Sequence, residues 1–225
     1  LHILALRRVA AQQPMLANPP QVASLDLPLL VQLGSPVNLR LGVHHLANPD
    51  GELRFALLSD WADAPGESAA ADDELLAVAV DGIARLNALY GPASGGGPRF
   101  VLLHRRRLWN PSEGVWMGWE RKRGKLHELN RLLRGAKDTT FITPSQNAAR
   151  VPAGVRYVIT LDADTNLPRD AARRLVGKMA HPLNRPRFDP RKGRVVEGYA
   201  VLQPRVTASL PTGKERSLFQ FVFST

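Results

Sequence analysis

The chain has 225 residues, with 30 Lys and Arg against 20 Asp and Glu, a formal charge of +10, and no cysteine. A hydrophobic content of 44% argues against wholesale disorder, and the length allows a real core. The missing thiols exclude disulfides, thiolate metal sites and Cys nucleophiles, and no apolar run nears the roughly 20 residues of a membrane helix.

The chain opens on Leu1 rather than Met, with no signal-peptide pattern behind it, and reads as part of something longer. Leu1–Ala11 reads as a short helix, and the Pro-rich stretch from Gln12 to Leu39 as irregular. Leu53–Ser59 is a short apolar run ending at Asp60, the mark of a buried strand. Asp72 and Asp73 suit the start of a helix whose Leu75, Leu76, Ala79, Ile83, Leu86 and Tyr90 recur at helical spacing. Gly91-Pro92 ends it. Arg99–His104 is a second strand, followed by three arginines and an aromatic loop with Trp109, Trp116 and Trp119. Lys122–Arg134 places Leu126, Leu129 and Leu133 on one helical face. Val155–Leu161 is the clearest strand. Pro168 opens a further helix with Ala171, Ala172, Leu175, Val176 and Met179 on its apolar side, and Arg194–Gln203 reads as another strand. Strands alternating with helices imply a layered α/β sheet with some parallel pairing.

Charge is blocked along the chain. Ala47–Glu74 holds eight acids and one base, Arg99–Lys137 eleven bases and three acids, and Leu167–Arg216 twelve bases and four acids. A nucleic acid, an anionic membrane or a phosphorylated small substrate would each fit a basic excess, as would an Arg-rich solvated surface.

Three segments carry candidate chemistry. The strand at Val155 runs into Asp162-Ala163-Asp164, and alternation puts both carboxylates on one side. Ligands of open α/β sheets bind at carboxyl ends of strands, and a divalent cation would relieve the repulsion between the two acids and bridge to phosphates. A pair of helix-capping aspartates is the bland alternative. Asp60 likewise ends an apolar strand, where an acid can accept hydrogen bonds from a nucleoside, though a turn-forming Asp is commoner there. In Trp119–Asn130 (WERKRGKLHELN), Lys122 and Lys125 crowd a helix start that a bound diphosphate would favour, and Gly124 permits close approach.

Together, LRFALLSDWADAP, RFVLLHRRRLWNPSEGVWMGWERKRGKLHELNRLLRG, YVITLDADTNLPRDAARRLVGKMAHPLNRPRFD and GRVVEGYAVLQPRV resemble the glycosyltransferase domain of bacterial cyclic β-1,2-glucan synthases. The resemblance runs from about Val43 to the C-terminus, with residues 1–42 irregular or foreign to it. It implies a GT-A-like (Rossmann-like) α/β fold: a mixed, largely parallel sheet flanked by helices, here the incomplete, donor-binding half over 43–225. It implies an inverting, metal-assisted transfer of glucose from UDP-glucose to a growing β-1,2-glucan, with Mg²⁺ or Mn²⁺ held by Asp162 and Asp164. Asp60 matches the upstream Asp that contacts the uridine in GT-A enzymes, Lys122 and Gly124 the KxG pattern beside the nucleotide in related processive synthases, with Lys125 next to it, and Gln203 and Arg205 a strand that passes near the acceptor side in such enzymes. The base that deprotonates the acceptor is expected beyond Thr225. The implied partners are UDP-glucose and a β-glucan acceptor, not nucleic acid. The implied setting is the cytoplasmic face of the bacterial inner membrane, through other parts of a longer protein. The family also opens this domain with an apolar strand under the nucleotide base, which HILALRR is too short and polar to match.

Two other classes compete. A haloacid-dehalogenase-like phosphohydrolase also places an Asp after an apolar strand, but Thr165 falls one position early for that pattern. A binding module for nucleic acid or glucan would use the Arg-rich blocks and the tryptophans.

Overall fold

A computed structural model describes residues 2–8, 36–142, 154–162 and 165–205. Two compact units divide the chain, 1–174 and 175–225.

The first unit is built on a five-stranded sheet in the order β6-β3-β2-β1-β7. Its strands are β1 (His2–Arg8), β2 (Leu53–Asp60), β3 (Phe100–Arg105), β6 (Phe141–Ile142) and β7 (Val155–Asp162). A two-stranded hairpin, β4 (Leu108–Asn110) and β5 (Val115–Met117), stands beside it. β2 and β3 pair in parallel, while β1 runs antiparallel to both β2 and β7, and β6 antiparallel to β3. The mixed sheet is as expected. Three of its five strands point the same way, but only the β2–β3 neighbours pair in parallel.

β2 and β3 form because their apolar runs are buried on both faces, the signature of a central strand. On one face Ala56, Leu58, Val101 and Leu103 meet Leu129 and the partly buried Leu126, Leu132 and Leu133 of a helix, Arg121–Leu133. On the other, Phe55 and Phe100 stack at 5.8 Å, and His45 and Tyr90 pack edge-on and tilted against them. In chain order the helices are α1 (Pro36–Ala47), α2 (Asp72–Tyr90), α3 (Arg121–Leu133) and α4 (Ala171–Ala180). The sheet is thus flanked by helices on both sides, and truncating one of the fully buried leucines, such as Leu58 or Leu102, costs roughly 2–5 kcal/mol.

Several elements differ from the sequence expectations. His2–Arg8 is a strand, not a helix. A four-residue apolar run fits either period, and the two waiting neighbours, β2 and β7, settle it. Helix α1 begins at Pro36, inside the stretch read as irregular. Leu41 and His44 are buried on it and Asn48 just past its end, and the rest of that stretch lies outside the described residues. Among the described residues β7 is an edge strand, with alternating exposure along its length. Neither Asp72 nor Asp73 caps α2, since the cap position is Ala71 and has no side-chain bond. Asp72 instead accepts from the amide of Ala69 at 2.8 Å and pairs with buried Arg107. The aromatic loop contains the β4–β5 hairpin, with Trp109 opposite Trp116.

The second unit contains a short hairpin, β8 (Arg187–Asp189) with β9 (Arg194–Glu197). The last strand therefore stops six residues before Gln203. Gly198 turns it at φ +69°, and a Cβ there would lie 2.0 Å from the carbonyl oxygen of Arg185.

Candidate active site

Parallel register sets Asp60 beside Arg105 at the carboxyl ends of β2 and β3. The Arg105 side chain is fully buried. A buried guanidinium must spend its donors on protein acceptors. Its Nε donates to Asp60 Oδ1 at 2.6 Å and its Nη1 to Glu128 Oε2 at 3.2 Å. Its Nη2 donates to the carbonyls of Trp119 and Arg121, each at 3.1 Å. Lys125, also buried, puts its ammonium 2.7 Å from Asp60 Oδ2. Glu128 in turn accepts from the hydroxyls of Thr139 and Thr140 at 2.8 and 2.7 Å. Two acids and two bases therefore close into a neutral network. Burial alone would raise the pKa of Asp60, but hydrogen bonds and charge from Arg105 and Lys125 outweigh it and hold the carboxyl below its ordinary range. Glu128 behaves alike: burial raises it, and bonds from Thr140, Thr139 and Arg105 bring it below its usual value.

The network ties the start of α3 to the sheet. Gly118 lies directly on it, since a Cβ there would sit 2.9 Å from Asp60 Cγ and 3.0 Å from Arg105 Nη2. Gly124 is required for a related reason. A Cβ would meet the Trp119 carbonyl oxygen at 2.0 Å and its ring at 2.7 Å. Its small size seats the Trp119 turn on α3. Within that turn Glu120 and Arg121 both take left-handed backbone, at φ 51° and 44°. Such non-glycine residues cost of order 1–3 kcal/mol each, a strain that collects at functional sites.

The exposed half of the site lies one residue further along. Lys122 Nζ is 2.6 Å from Asp162 Oδ1, and both side chains are about half exposed, 56% and 53%. Asp162 ends β7, whose other outward residues are Arg156, Val158 and Thr160. Asp60, Lys122, Lys125 and Asp162 thus gather at one end of the sheet, and Gly124 supports the helix that carries the two lysines. Asp164 lies outside the described residues. Gln203 and Arg205 belong to the second unit, both exposed in extended chain without regular structure. Among the described residues no group of three or more His, Asp or Glu side chains could hold a metal ion.

Sequence reading missed Arg105, Gly118 and Glu128. Arg105 was hidden in a basic triplet that reads as a solvated run. The alternation of a strand end sends Arg105 and Arg107 inward and only Arg106 outward. Arg107 lies 5.5 Å over the Trp61 ring and donates to the carbonyls of Ala62 and Glu67 at 2.7 and 3.1 Å, fixing the loop behind Asp60. Beside it, His104 Nδ1 meets the Ser59 hydroxyl at 2.8 Å, and burial pushes its pKa down to about 4.

Over 184 residues, 82% of its length, the chain is 61% identical to the cyclic β-(1,2)-glucan synthase NdvB of Rhizobium meliloti (strain 1021). It spans about 6% of that relative's length. No family model matches the chain. The resemblance drawn from the motifs is borne out by this identity.

Proposed function

We propose that the chain, 61% identical over 82% of its length to a cyclic β-(1,2)-glucan synthase, is a fragment of such a synthase and forms the donor-binding part of a glycosyltransferase that moves glucose from UDP-glucose to a growing β-1,2-glucan. The observation that carries the reading is the Lys122–Asp162 pair, an exposed cation and carboxylate at the carboxyl edge of the sheet.

Each group has a distinct task on this reading. Asp162, together with Asp164, supplies hard oxygen donors of the kind Mg²⁺ or Mn²⁺ prefers. Asp162 is already drawn to a positive charge, which fits a position built for a cation. When bound, the metal supplies Lewis-acid stabilisation of the leaving diphosphate. The Lys122 ammonium, released from Asp162, turns its charge to the phosphates as the glycosidic bond to the diphosphate breaks. Asp60 orients rather than reacts. It fixes Lys125 and Arg105, and through them the turn that carries Lys122, and its partly exposed edge faces the place of the nucleoside. Transfer with inversion needs a carboxylate to take the acceptor proton, and none of the described residues is assigned that task. Gln203 and Arg205 remain candidates for the acceptor side. The working location is the cytoplasmic face of the inner membrane, reached through other parts of a longer protein. No helix among the described residues is long and apolar enough to cross a membrane.

Calorimetry with UDP-glucose, with and without Mn²⁺, tests the reading. Metal-dependent binding is expected, and Asp162→Asn and Asp164→Asn should each abolish the metal-dependent part. Binding indifferent to chelator or to both substitutions would sink the assignment.

A further inference from the structure

A cavity of about 580 Å³ opens on the first unit, apart from the Lys122–Asp162 pair, and is lined by Trp109, Asn110, Glu113, Trp119, Glu120 and Arg121 among others. Its size falls in the roughly 300–1,000 Å³ range of small-ligand sites. Two of its walls are indoles left about half exposed, Trp109 at 49% and Trp119 at 48%.

These indoles are held rather than loose. The β4–β5 hairpin is pinned where Trp116 exchanges both backbone bonds with Ala64, at 2.9 and 3.0 Å. Arg121 bridges Asp63 at 2.9 Å and Glu113 at 2.7 Å. The Trp119 carbonyl accepts from buried Arg105, and its ring is seated by Gly124. The turn between them carries the two left-handed residues, Glu120 and Arg121. A packed loop would bury its tryptophans. Here buried groups hold them partly in the open.

The chemistry of the lining selects the ligand. Flat apolar faces alternate with an amide, two carboxylates and a guanidinium. A pyranose ring presents the same alternation, C–H faces with hydroxyls around the rim. Glu113, Glu120 and Arg121 leave the lining with one net negative charge, which disfavours phosphate and so disfavours both a nucleotide and a nucleic acid strand. We propose that this cavity is a glucan subsite, in which Trp109 and Trp119 stack on glucose units of the polymer while Asn110, Glu113 and Glu120 accept or donate at its hydroxyls. The carbohydrate chemistry rests on the cavity alone, whereas its identity as the β-1,2-glucan rests on the transfer reading above. Because the Trp119–Arg121 turn leads directly into Lys122, glucan held there lies next to the donor groups.

The test is titration of the chain with a short β-1,2-linked glucose oligosaccharide, read from indole N–H signals in NMR. The signals of Trp109 and Trp119 should shift and that of Trp61 should not. Trp109→Ala should weaken binding by about tenfold or more, and Trp109→Phe, which keeps an aromatic face beside Trp116, should fall between. Oligosaccharide binding that survives Trp109→Ala in full overturns the proposal. So does displacement of the oligosaccharide from these indoles by UDP-glucose with Mn²⁺, or stronger binding of a single-stranded oligonucleotide at the same signals. If the oligosaccharide binds as stated but UDP-glucose binds nowhere, the subsite stands and the transfer reading falls.

Discussion

Two acids that look alike in the sequence, Asp60 and Asp162, do different work because of their surroundings. Asp60 is mostly enclosed and shares its oxygens between Arg105 and Lys125, whereas Asp162 is half exposed and pairs with the equally exposed Lys122. Substitution should separate them. Arg105→Met removes the cation that joins Asp60 to Glu128, leaving Asp60 to Lys125 and Glu128 to its threonine hydroxyls without a charge partner, which should cost about 3–5 kcal/mol in urea unfolding. Lys122→Met breaks an exposed pair worth about 0–1 kcal/mol, so unfolding should hardly move while affinity for UDP-glucose falls. A large stability loss in Lys122→Met, or none in Arg105→Met, would contradict the division into scaffold and site. Gly124→Ala adds a carbon where the Trp119 carbonyl already stands at 2.0 Å. It should destabilise by about 1–3 kcal/mol, as overpacking does, and disturb the Trp119 indole signal with it.

At the level of elements, one side chain couples two helix ends. Asn48 closes α1, its amide donating to the His44 carbonyl at 3.2 Å, and its Oδ1 accepts from the Ala172 amide at 2.9 Å where α4 begins. Asn48→Ala should lose about 1–2 kcal/mol, the usual worth of a capping oxygen, and hydrogen exchange should quicken first at the Ala172 amide. Elements defined by their own pattern were legible in the sequence: β2 and β3 from continuous apolar runs, α2 and α3 from helical spacing, and Asp162 from its place after a strand. Those defined by distant partners were not. His2–Arg8 becomes a strand because β2 and β7 flank it, and Arg105 is buried because Glu128 and the Trp119 turn come to meet it from α3. Helix α1 stood in between. Leu39, Val43 and Leu46 recur at helical spacing behind Pro36, but the buried face is Leu41 and His44 with Val43 exposed, so the period marks a helix without marking its inner side.

For the whole molecule, pH acts through groups buried uncharged and groups buried charged. His45 and His104 are pushed by burial to about 4, below the ordinary 6.5. The unfolded chain therefore takes up protons first as pH falls. The stability they contribute is full above about pH 6.5 and is lost on the way down to about pH 4. Asp60 and Glu128, held below their ordinary values, add a second loss below about pH 4.5. The urea midpoint should thus fall between pH 7 and pH 5, more shallowly in His104→Gln, which has no titrating ring. A flat midpoint over that range would contradict the account. The net charge of +10 is also partly internal. Arg105, Arg107 and Lys125 are buried against carboxylates, so they add little to the field felt by a polyanion.

The place of β1 governs the order in which the molecule is able to assemble. It precedes both of its neighbours in the chain, yet it lies between β2 and β7, and Leu4 pairs with both Ala56 and Thr160. Until the ribosome has released the residues of β7, one edge of β1 stays open, with unpaired amides and carbonyls that invite the wrong neighbour. Such long-range closure slows folding and lengthens the time spent exposed to aggregation. A nascent chain halted between β6 and β7 would display that open edge, and the arrival of a single late strand would shut it.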